Sequence, residues 1–130
     1  SLKGKTVMVA EDNPLNMEII RRLLEKKGII IMYEAINGQE AVDAFRAAPE
    51  GSINAVLMDI RMPIMNGLEA ASAIRKMDRK DAASVPIIAL TANAYEEDRQ
   101  KSLNAGMNEH LTKPLDPALL YSVLEKCICN

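Results

Sequence analysis

The sequence predicts an α/β domain built on a parallel five-stranded sheet with helices on both faces. Three short apolar runs, at residues 6–10, 55–59 and 86–90, have the length and β-prone composition of strands buried on both sides. Segments with helical spacing alternate with the strands, which is the order of a parallel sheet with right-handed crossovers. Each run also ends beside polar side chains, so we expect a site at the carboxyl edge of the sheet.

Length and composition limit the classes of protein that the chain can belong to. Its 130 residues, 48% of them hydrophobic, fit one domain over residues 1–130. The net charge of -2 offers no basic field for nucleic acid or an anionic membrane surface, and the chain has no Trp to stack against bases. No apolar stretch approaches the roughly 20 residues of a membrane span, and the N-terminus lacks a signal-peptide core. We therefore expect a cytoplasmic location and no direct membrane contact.

In the first half of the chain, turn and cap residues separate three strands and two helices. Pro14 starts the first helix, because proline at the first helical position loses no needed hydrogen bond, and Gly28 ends it. The apolar stripe predicted for this helix consists of Leu15, Ile19 and Leu23. We expect the second strand at residues 30–35, followed by a turn at Gly38 and the second helix.

The second half of the chain continues the alternation. Gly67 opens a third helix after a loop that holds Pro63. The fourth helix has an acidic first turn at residues 96–98 and is mostly polar, so we expect it to be the most mobile helix and a partner surface. A fifth strand at residues 109–112 precedes the last helix. Two cysteines in that helix are expected to be reduced packing residues, Cys127 and Cys129.

Polar side chains at the carboxyl ends of four strands form the candidate site. Glu11 and Asp12 follow the first strand, Asp59 ends the third, Thr91 follows the fourth and Lys113 follows the fifth. Because the carboxyl ends of parallel strands meet at one edge, we expect these side chains to lie together. An acid pair or a lysine alone is usually solvated surface, so the prediction depends on the combination.

With these residues in place, the chain resembles the receiver domain of two-component response regulators over essentially its whole length. The motifs that carry the resemblance are Glu11-Asp12, Met58-Asp59-Ile60-Arg61-Met62-Pro63 with Asn66-Gly67, Ala89-Leu90-Thr91-Ala92, and Lys113-Pro114. The runs 90–94 and 106–115 look most like receivers attached to hybrid sensor histidine kinases. The resemblance implies a flavodoxin-like (βα)5 three-layer sandwich with strand order 2-1-3-4-5.

The resemblance also implies a phosphorelay function that needs Mg2+, for which Mn2+ is expected to substitute. Asp59 would be the phosphoacceptor, taking a phosphoryl group from a partner's phosphohistidine. Attack of an anion on an anion requires neutralisation, which explains the neighbouring residues. The implied metal ligands are Asp12, Asp59 and the backbone carbonyl of Arg61, with Glu11 holding a metal-bound water. The implied phosphoryl contacts are Lys113, Thr91 and the backbone N–H of Ala92.

Further expectations from the resemblance concern partners and activity. The partners would be a histidine kinase, a histidine phosphotransfer domain or both, and the domain would be a monomer or a weak phosphorylation-dependent dimer. It would catalyse only its own phosphorylation and dephosphorylation, although a hybrid parent would be a histidine kinase. The Lys113-Pro114 bond would be cis, and phosphorylation would be read on the face made by the fourth helix, fifth strand and fifth helix.

One residue departs from the receiver pattern. His110 stands where many receivers carry a Tyr or Phe whose ring turns inward on activation, which puts aromatic switching in doubt. As the only histidine it could suggest catalysis, but its position at the start of the fifth strand lies away from the strand ends. We expect a partner-facing or partly packed side chain.

Three other functions remain open at the level of sequence. The first is a magnesium-dependent phosphatase with an aspartyl-phosphate intermediate, although Arg61 stands where phosphatases of the haloacid dehalogenase type need a second acid. The second is a flavodoxin-like flavin binder, although the acids after the first strand would repel a phosphate. The third is a scaffold receiver that no longer takes phosphate, which the complete set of site residues disfavours.

Overall fold

The structure is a computed structural model, and it describes residues 1–92 and 95–129, apart from the side chain of Glu97. Its strands are β1 (Thr6–Ala10), β2 (Ile30–Ala35), β3 (Ala55–Asp59), β4 (Ile87–Thr91) and β5 (Glu109–Thr112). Its helices are α1 (Pro14–Lys26), α2 (Gly38–Ala47), α3 (Gly67–Arg75), α4 (Glu96–Asn104) and α5 (Pro117–Ile128). A short 3-10 turn at Lys80–Ala82, which the sequence pattern did not predict, precedes β4. Residues 93 and 94 of the receiver-like motif lie outside the described residues.

The five strands form one parallel sheet in the order β2-β1-β3-β4-β5. This confirms the predicted fold class and the 2-1-3-4-5 strand order. Asp59 pairs with Leu90 across β3 and β4, and Thr91 pairs with Thr112 across β4 and β5. The register therefore brings the polar ends of neighbouring strands to the same level of one edge.

Both faces of the sheet carry a hydrophobic core, so the domain has three layers. One core contains Phe45 of α2 and Ile74 of α3, and the other contains Leu24 of α1 and Leu124 of α5. Every residue of β3 and β4 is buried, as the unbroken apolar runs predicted. The central strands can therefore present a side chain to solvent only at their ends.

The predicted apolar stripe of α1 is wrong. Leu15 is 69% exposed and Ile19 is also exposed, while Leu23 is only half-buried. The residues that α1 buries are Met17, Ile20 and Leu24. Both sets recur at helical spacing, and spacing alone does not decide which of two neighbouring stripes faces the sheet.

The helices at the β5 side of the sheet differ in how firmly they pack. Among the described side chains of α4, only Ser102 is buried, which agrees with its polar sequence. Cys127 is half-buried in α5, and burial raises the pKa of its thiol. Cys129 follows the end of α5 and is exposed, so the prediction that both cysteines are packing residues is wrong for Cys129. Within the described part of the chain, no helix combines the length and apolar character that crossing a membrane requires.

Candidate functional site: an acidic cleft at the strand ends

Three carboxylates meet at the carboxyl edge of the sheet. Glu11 and Asp59 are buried, with 1% and 4% exposure, while Asp12 is exposed. One carboxylate oxygen from each residue lies within 4.8 Å of the other two. The expected grouping of these acids is therefore present, with one acid open to solvent and two beneath it.

Lys113, from the loop after β5, contacts both buried acids. Its Nζ donates a hydrogen bond to Asp59 Oδ2 at 3.0 Å and forms an ion pair with Glu11 Oε1 at 2.7 Å. Burial lowers the pKa of this lysine, but the two carboxylates outweigh burial and hold its pKa above the ordinary value. Lys113 is thus a stable cation between two anions. The Lys113-Pro114 peptide bond is cis, which confirms that prediction.

Backbone donors orient the two buried carboxylates. The N–H of Asn13 donates to Glu11 Oε2 at 3.1 Å, and the N–H of Arg61 donates to Asp59 Oδ1 at 3.3 Å. Asn13 also caps α1, where its side-chain oxygen accepts from the N–H of Asn16. Each acid is therefore held by the residue two positions later, at the point where its strand turns into a loop.

Glycine is required where α3 begins, directly behind Asp59. A Cβ at Gly67 would lie 2.1 Å from the Asp59 carbonyl oxygen, so no larger residue fits without moving the strand end. The N–H of Gly67 donates to the carbonyl of Ile60, and a reciprocal capping box of Asn66 and Glu69 starts the helix. This close approach fixes the loop that follows Asp59.

Thr91 and Arg61 lie on a cleft of about 500 Å³ that opens beside the acids. Asp12 lines the same cleft, and Lys101 of α4 lies on it as well. Thr91 at the end of β4 is buried and Ala92 after it is exposed, and their contacts with a phosphoryl group stay a prediction. The cleft is large enough to admit a small charged group and polar enough to hold one.

His110 is remote from these strand ends and partly packed, as expected. It pairs with Ala89 in the sheet, and its Nε2 is buried without a hydrogen-bond partner among residues 1–92 and 95–129. Burial lowers its pKa, the charge of Arg99 lowers it further, and Asp98 opposes this shift. Its position therefore favours a packed side chain over a catalytic one.

The sequence did not reveal how deeply Glu11 is buried or that it pairs with Lys113. An acid pair after a strand does not show which member turns inward. The usable signal is its place directly after the buried apolar run at residues 7–10, where the next residue still continues the sheet: the N–H of Glu11 donates to the carbonyl of Ala35 on β2. That bond keeps Glu11 in the buried layer, while Asp12 lies in the turn.

The donor set suits a hard divalent cation. Mg2+ prefers oxygen ligands and keeps several waters, and the carboxylates supply such ligands at one open edge. A buried carboxylate held beside a lysine and a metal site can also act as a nucleophile toward an anionic group, since nearby positive charge reduces the repulsion.

Comparison with known families gives one clear match. The family described as the response regulator receiver domain matches residues 7–125. Among curated proteins, hybrid signal transduction histidine kinase I of Dictyostelium discoideum is 43% identical over 126 residues, which is 95% of this chain and 7% of that protein. The sensor protein GacS of Pseudomonas syringae pv. syringae is 35% identical over 97% of this chain and 14% of its own length. The chain therefore spans a small part of these relatives.

Two solved structures show the same fold at substantial sequence identity. The receiver domain of the sensor histidine kinase PA1611 from Pseudomonas aeruginosa PAO1, with a magnesium ion coordinated in its active site cleft, is 36% identical, with a TM-score of 0.87 over 98% of this chain and 99% of that one. The receiver domain of Saccharomyces cerevisiae Ssk1, in complex with the histidine phosphotransfer protein Ypd1, is 32% identical, with a TM-score of 0.86 over 99% and 92%.

Proposed function

Because this chain belongs to the response regulator receiver domain family, we propose that Asp59 is its phosphoacceptor and that a partner's phosphohistidine is the donor. One observation carries the proposal. The Asp59 carboxylate is the buried acid at the end of the central strand, and it is held between the Arg61 N–H and the Lys113 ammonium beside two further acids. This is a positioned nucleophile with the means to neutralise an incoming phosphoryl group.

The reaction follows from this arrangement. An oxygen of Asp59 attacks the phosphorus, an O–P bond forms, and the P–N bond to the histidine breaks with its electron pair going to the ring nitrogen, which takes up a proton. The product is an acyl phosphate on Asp59 and a neutral imidazole on the partner. Lys113, already hydrogen-bonded to Asp59, then pairs with a phosphoryl oxygen. The Thr91 hydroxyl and the Ala92 N–H would donate to the other phosphoryl oxygens.

The acidic residues would bind Mg2+, which when bound supplies positive charge to offset the repulsion between carboxylate and phosphoryl group. Asp12, Asp59 and the carbonyl of Arg61 would be direct ligands, and Glu11 would hold a bound water. Support comes from the spacing of the three carboxylates and from the magnesium ion in the related PA1611 receiver. The oxygen donors should also accept Mn2+, because that ion has the same ligand preference.

Two other functions fit the site less well. A phosphatase of the haloacid dehalogenase type would need a second acid two residues after the nucleophile, and that residue is Arg61, whose backbone holds Asp59. A scaffold receiver that takes no phosphate would use only its surface for binding. It would not need Lys113 paired with two buried acids.

The partners follow from the same chemistry and from the relatives. We infer that the donor or acceptor is a histidine kinase or a histidine phosphotransfer domain, since relatives are hybrid histidine kinases and a related receiver was crystallised with Ypd1. A hybrid parent with cytoplasmic signalling domains fits these relatives. We also propose a monomer or a weak dimer that forms on phosphorylation.

The experiment that tests this function is labelling with acetyl phosphate, followed by intact mass spectrometry. We expect one phosphoryl adduct when Mg2+ is present and none in excess EDTA. Substitution of an acid outside the site serves as a control. Glu96→Gln, on the exposed first turn of α4, should label like the wild type. Labelling that is insensitive to EDTA, or absent with Mg2+, would contradict the proposal.

A further inference from the structure

The loop between β3 and α3 contains one residue in an unfavourable backbone conformation. Ile64 has a φ of 70°, and the N–H of Met65 donates to the carbonyl of Pro63 at 2.7 Å. A hydrogen bond between the first and third residues of a three-residue turn defines a γ-turn. The form in which the middle residue has a positive φ is rare and strained. The left-handed region is unfavourable for β-branched side chains in particular. This tip of the loop is therefore a local source of strain.

Burial in the core does not compensate for an isoleucine at this tip. Its side chain is 83% exposed, so it contributes little to the core. Glycine or asparagine would adopt this backbone with less strain. The turn is nevertheless held at both ends, because the N–H of Gly38 donates to the Met65 carbonyl and the N–H of Gly67 donates to the Ile60 carbonyl. Strain that the surroundings enforce at an exposed residue points to a role outside the fold.

The position of this tip determines what can contact it. Asp59 lies five positions earlier and is only 4% exposed, so a donor must bring its reactive nitrogen down into the cleft. A histidine side chain is short, and the surface around it must therefore rest on the loops that border the cleft. Residues 61–63, which lead into the turn, line that cleft. Ile64 follows Pro63 directly and is exposed.

We propose that Ile64 is a docking residue that inserts into an apolar patch beside the histidine of a histidine phosphotransfer domain. The inference rests on the proposed function, since it assumes that a histidine-bearing protein meets Asp59. A second copy of this chain is a poorer occupant, because two copies meeting here would bring their Glu11, Asp12 and Asp59 clusters face to face. Burial of the exposed isoleucine on binding compensates for the strain that the free domain carries.

Ile64→Asn separates docking from chemistry and stability. We expect it to raise the melting temperature by roughly 3 °C, because asparagine tolerates the left-handed backbone. Labelling by acetyl phosphate should keep the wild-type rate, since the small donor needs no docking surface. Transfer from phosphorylated Ypd1 should slow roughly tenfold in kcat/KM, as for the loss of an interface anchor. Greater stability with slower transfer is not the result of simple damage to the fold.

Two matched variants act as controls. Ile64→Val keeps a β-branched apolar side chain and should transfer at nearly the wild-type rate. Ile30→Asn alters an isoleucine of 53% exposure at the start of β2, on the opposite edge of the sheet, and should leave transfer unchanged.

Several results would overturn the docking role. These are wild-type transfer rates from phospho-Ypd1 in Ile64→Asn, equal slowing by Ile30→Asn, or equal slowing with acetyl phosphate. A wild-type domain that labels with acetyl phosphate but accepts nothing from phospho-Ypd1 would also refute a surface shaped for phosphotransfer domains. Among these measurements, only a failure of acetyl phosphate labelling would count against the proposed function.

Discussion

At the scale of single residues, Lys113 connects the chemistry of the site with its stability. It contacts the two buried acids Glu11 and Asp59, and those contacts raise its pKa against the effect of burial. Removing the ammonium would leave two anions in a region that solvent hardly reaches, where an unpaired charge is costly. The lysine therefore stabilises the metal-free site, in addition to its proposed role of pairing with the phosphoryl group.

Lys113→Ala should consequently lower both activity and stability. We expect labelling by acetyl phosphate to slow at least about tenfold and the free energy of unfolding to fall by about 2 kcal/mol. Urea titrations and labelling time courses measure the two effects. Lys126→Ala, which removes the surface partner of Glu109, should leave stability nearly unchanged, because exposed ion pairs contribute little. Equal effects of the two substitutions would show that the buried contacts of Lys113 are unimportant.

His110 predicts a pH dependence of stability. Burial, and then the charge of Arg99, lower its pKa below the ordinary 6.5, so the unfolded chain takes up a proton at a higher pH than the folded domain. Its contribution to stability is complete above pH 6.5 and is lost as pH falls through the folded pKa. His110→Phe should therefore lose less stability than the wild type between about pH 7 and pH 5.5.

Urea unfolding of both proteins across this range measures the difference. Parallel curves of unfolding free energy against pH would mean that the imidazole is as easily protonated in the folded domain as in the unfolded chain.

Residues at strand ends were the most predictable part of the site. Asp59, Thr91 and Lys113 could be placed because the alternation of strands and helices determines which loops meet at one edge. The buried pair between Glu11 and Lys113 could not, since it depends on the orientation of side chains across different strands. The backbone conformation of Ile64 could not be predicted either, because its positive φ arises from contacts at both ends of a loop rather than from local preference.

At the scale of elements, α4 is the helix that phosphorylation can most easily move. Its described side chains include one buried residue, Ser102, and its start lies just after Thr91 at the cleft. We propose that the Thr91 hydroxyl, when drawn toward the phosphoryl group, moves this weakly anchored helix, which would be a two-state element that local charge can bias.

Hydrogen exchange should reveal that movement. On phosphorylation, we expect the largest changes in amide exchange at residues 95–106, with small changes in α1 and α2. Asp59→Asn incubated with acetyl phosphate provides the unphosphorylated control. Changes confined to α1 and α2 would exclude the face made by α4, β5 and α5 as the output surface.

The strands and helices themselves were predicted well, and the error in α1 is instructive. Residues 55–58 and 87–90 are buried strand because all of their side chains are apolar. In α1, however, two apolar stripes share the helix, and the packing of the sheet selects the one with Met17 and Ile20. The other stripe leaves Leu15 and Ile19 exposed. A local pattern cannot settle this choice, because tertiary contacts make it.

At the scale of the whole molecule, the three carboxylates at one edge repel one another, and Lys113 contacts only two of them, Glu11 and Asp59. A metal that binds the folded site and hardly the unfolded chain stabilises the fold, by about 2.7 kcal/mol at 100 times its dissociation constant. Thermal melts with and without Mg2+ should show this gain in the wild type. Asp59→Asn removes one of the like charges, so we expect it to be more stable without metal and to gain less from Mg2+.

An unchanged wild-type melt in saturating Mg2+, together with a strongly destabilised Asp59→Asn, would contradict that account. Asp59 would then be a structural acid whose hydrogen bonds to Arg61 and Lys113 support the fold.

The most direct test of the central claim is to locate the phosphoryl group chemically. Borohydride converts an aspartyl phosphate into homoserine, and peptide mass spectrometry then identifies the converted position. After labelling with acetyl phosphate and Mg2+, we predict homoserine at position 59 alone and none in Asp59→Asn. Homoserine at position 12, or persistent full labelling of the variant, would show that Asp59 is not the phosphoacceptor.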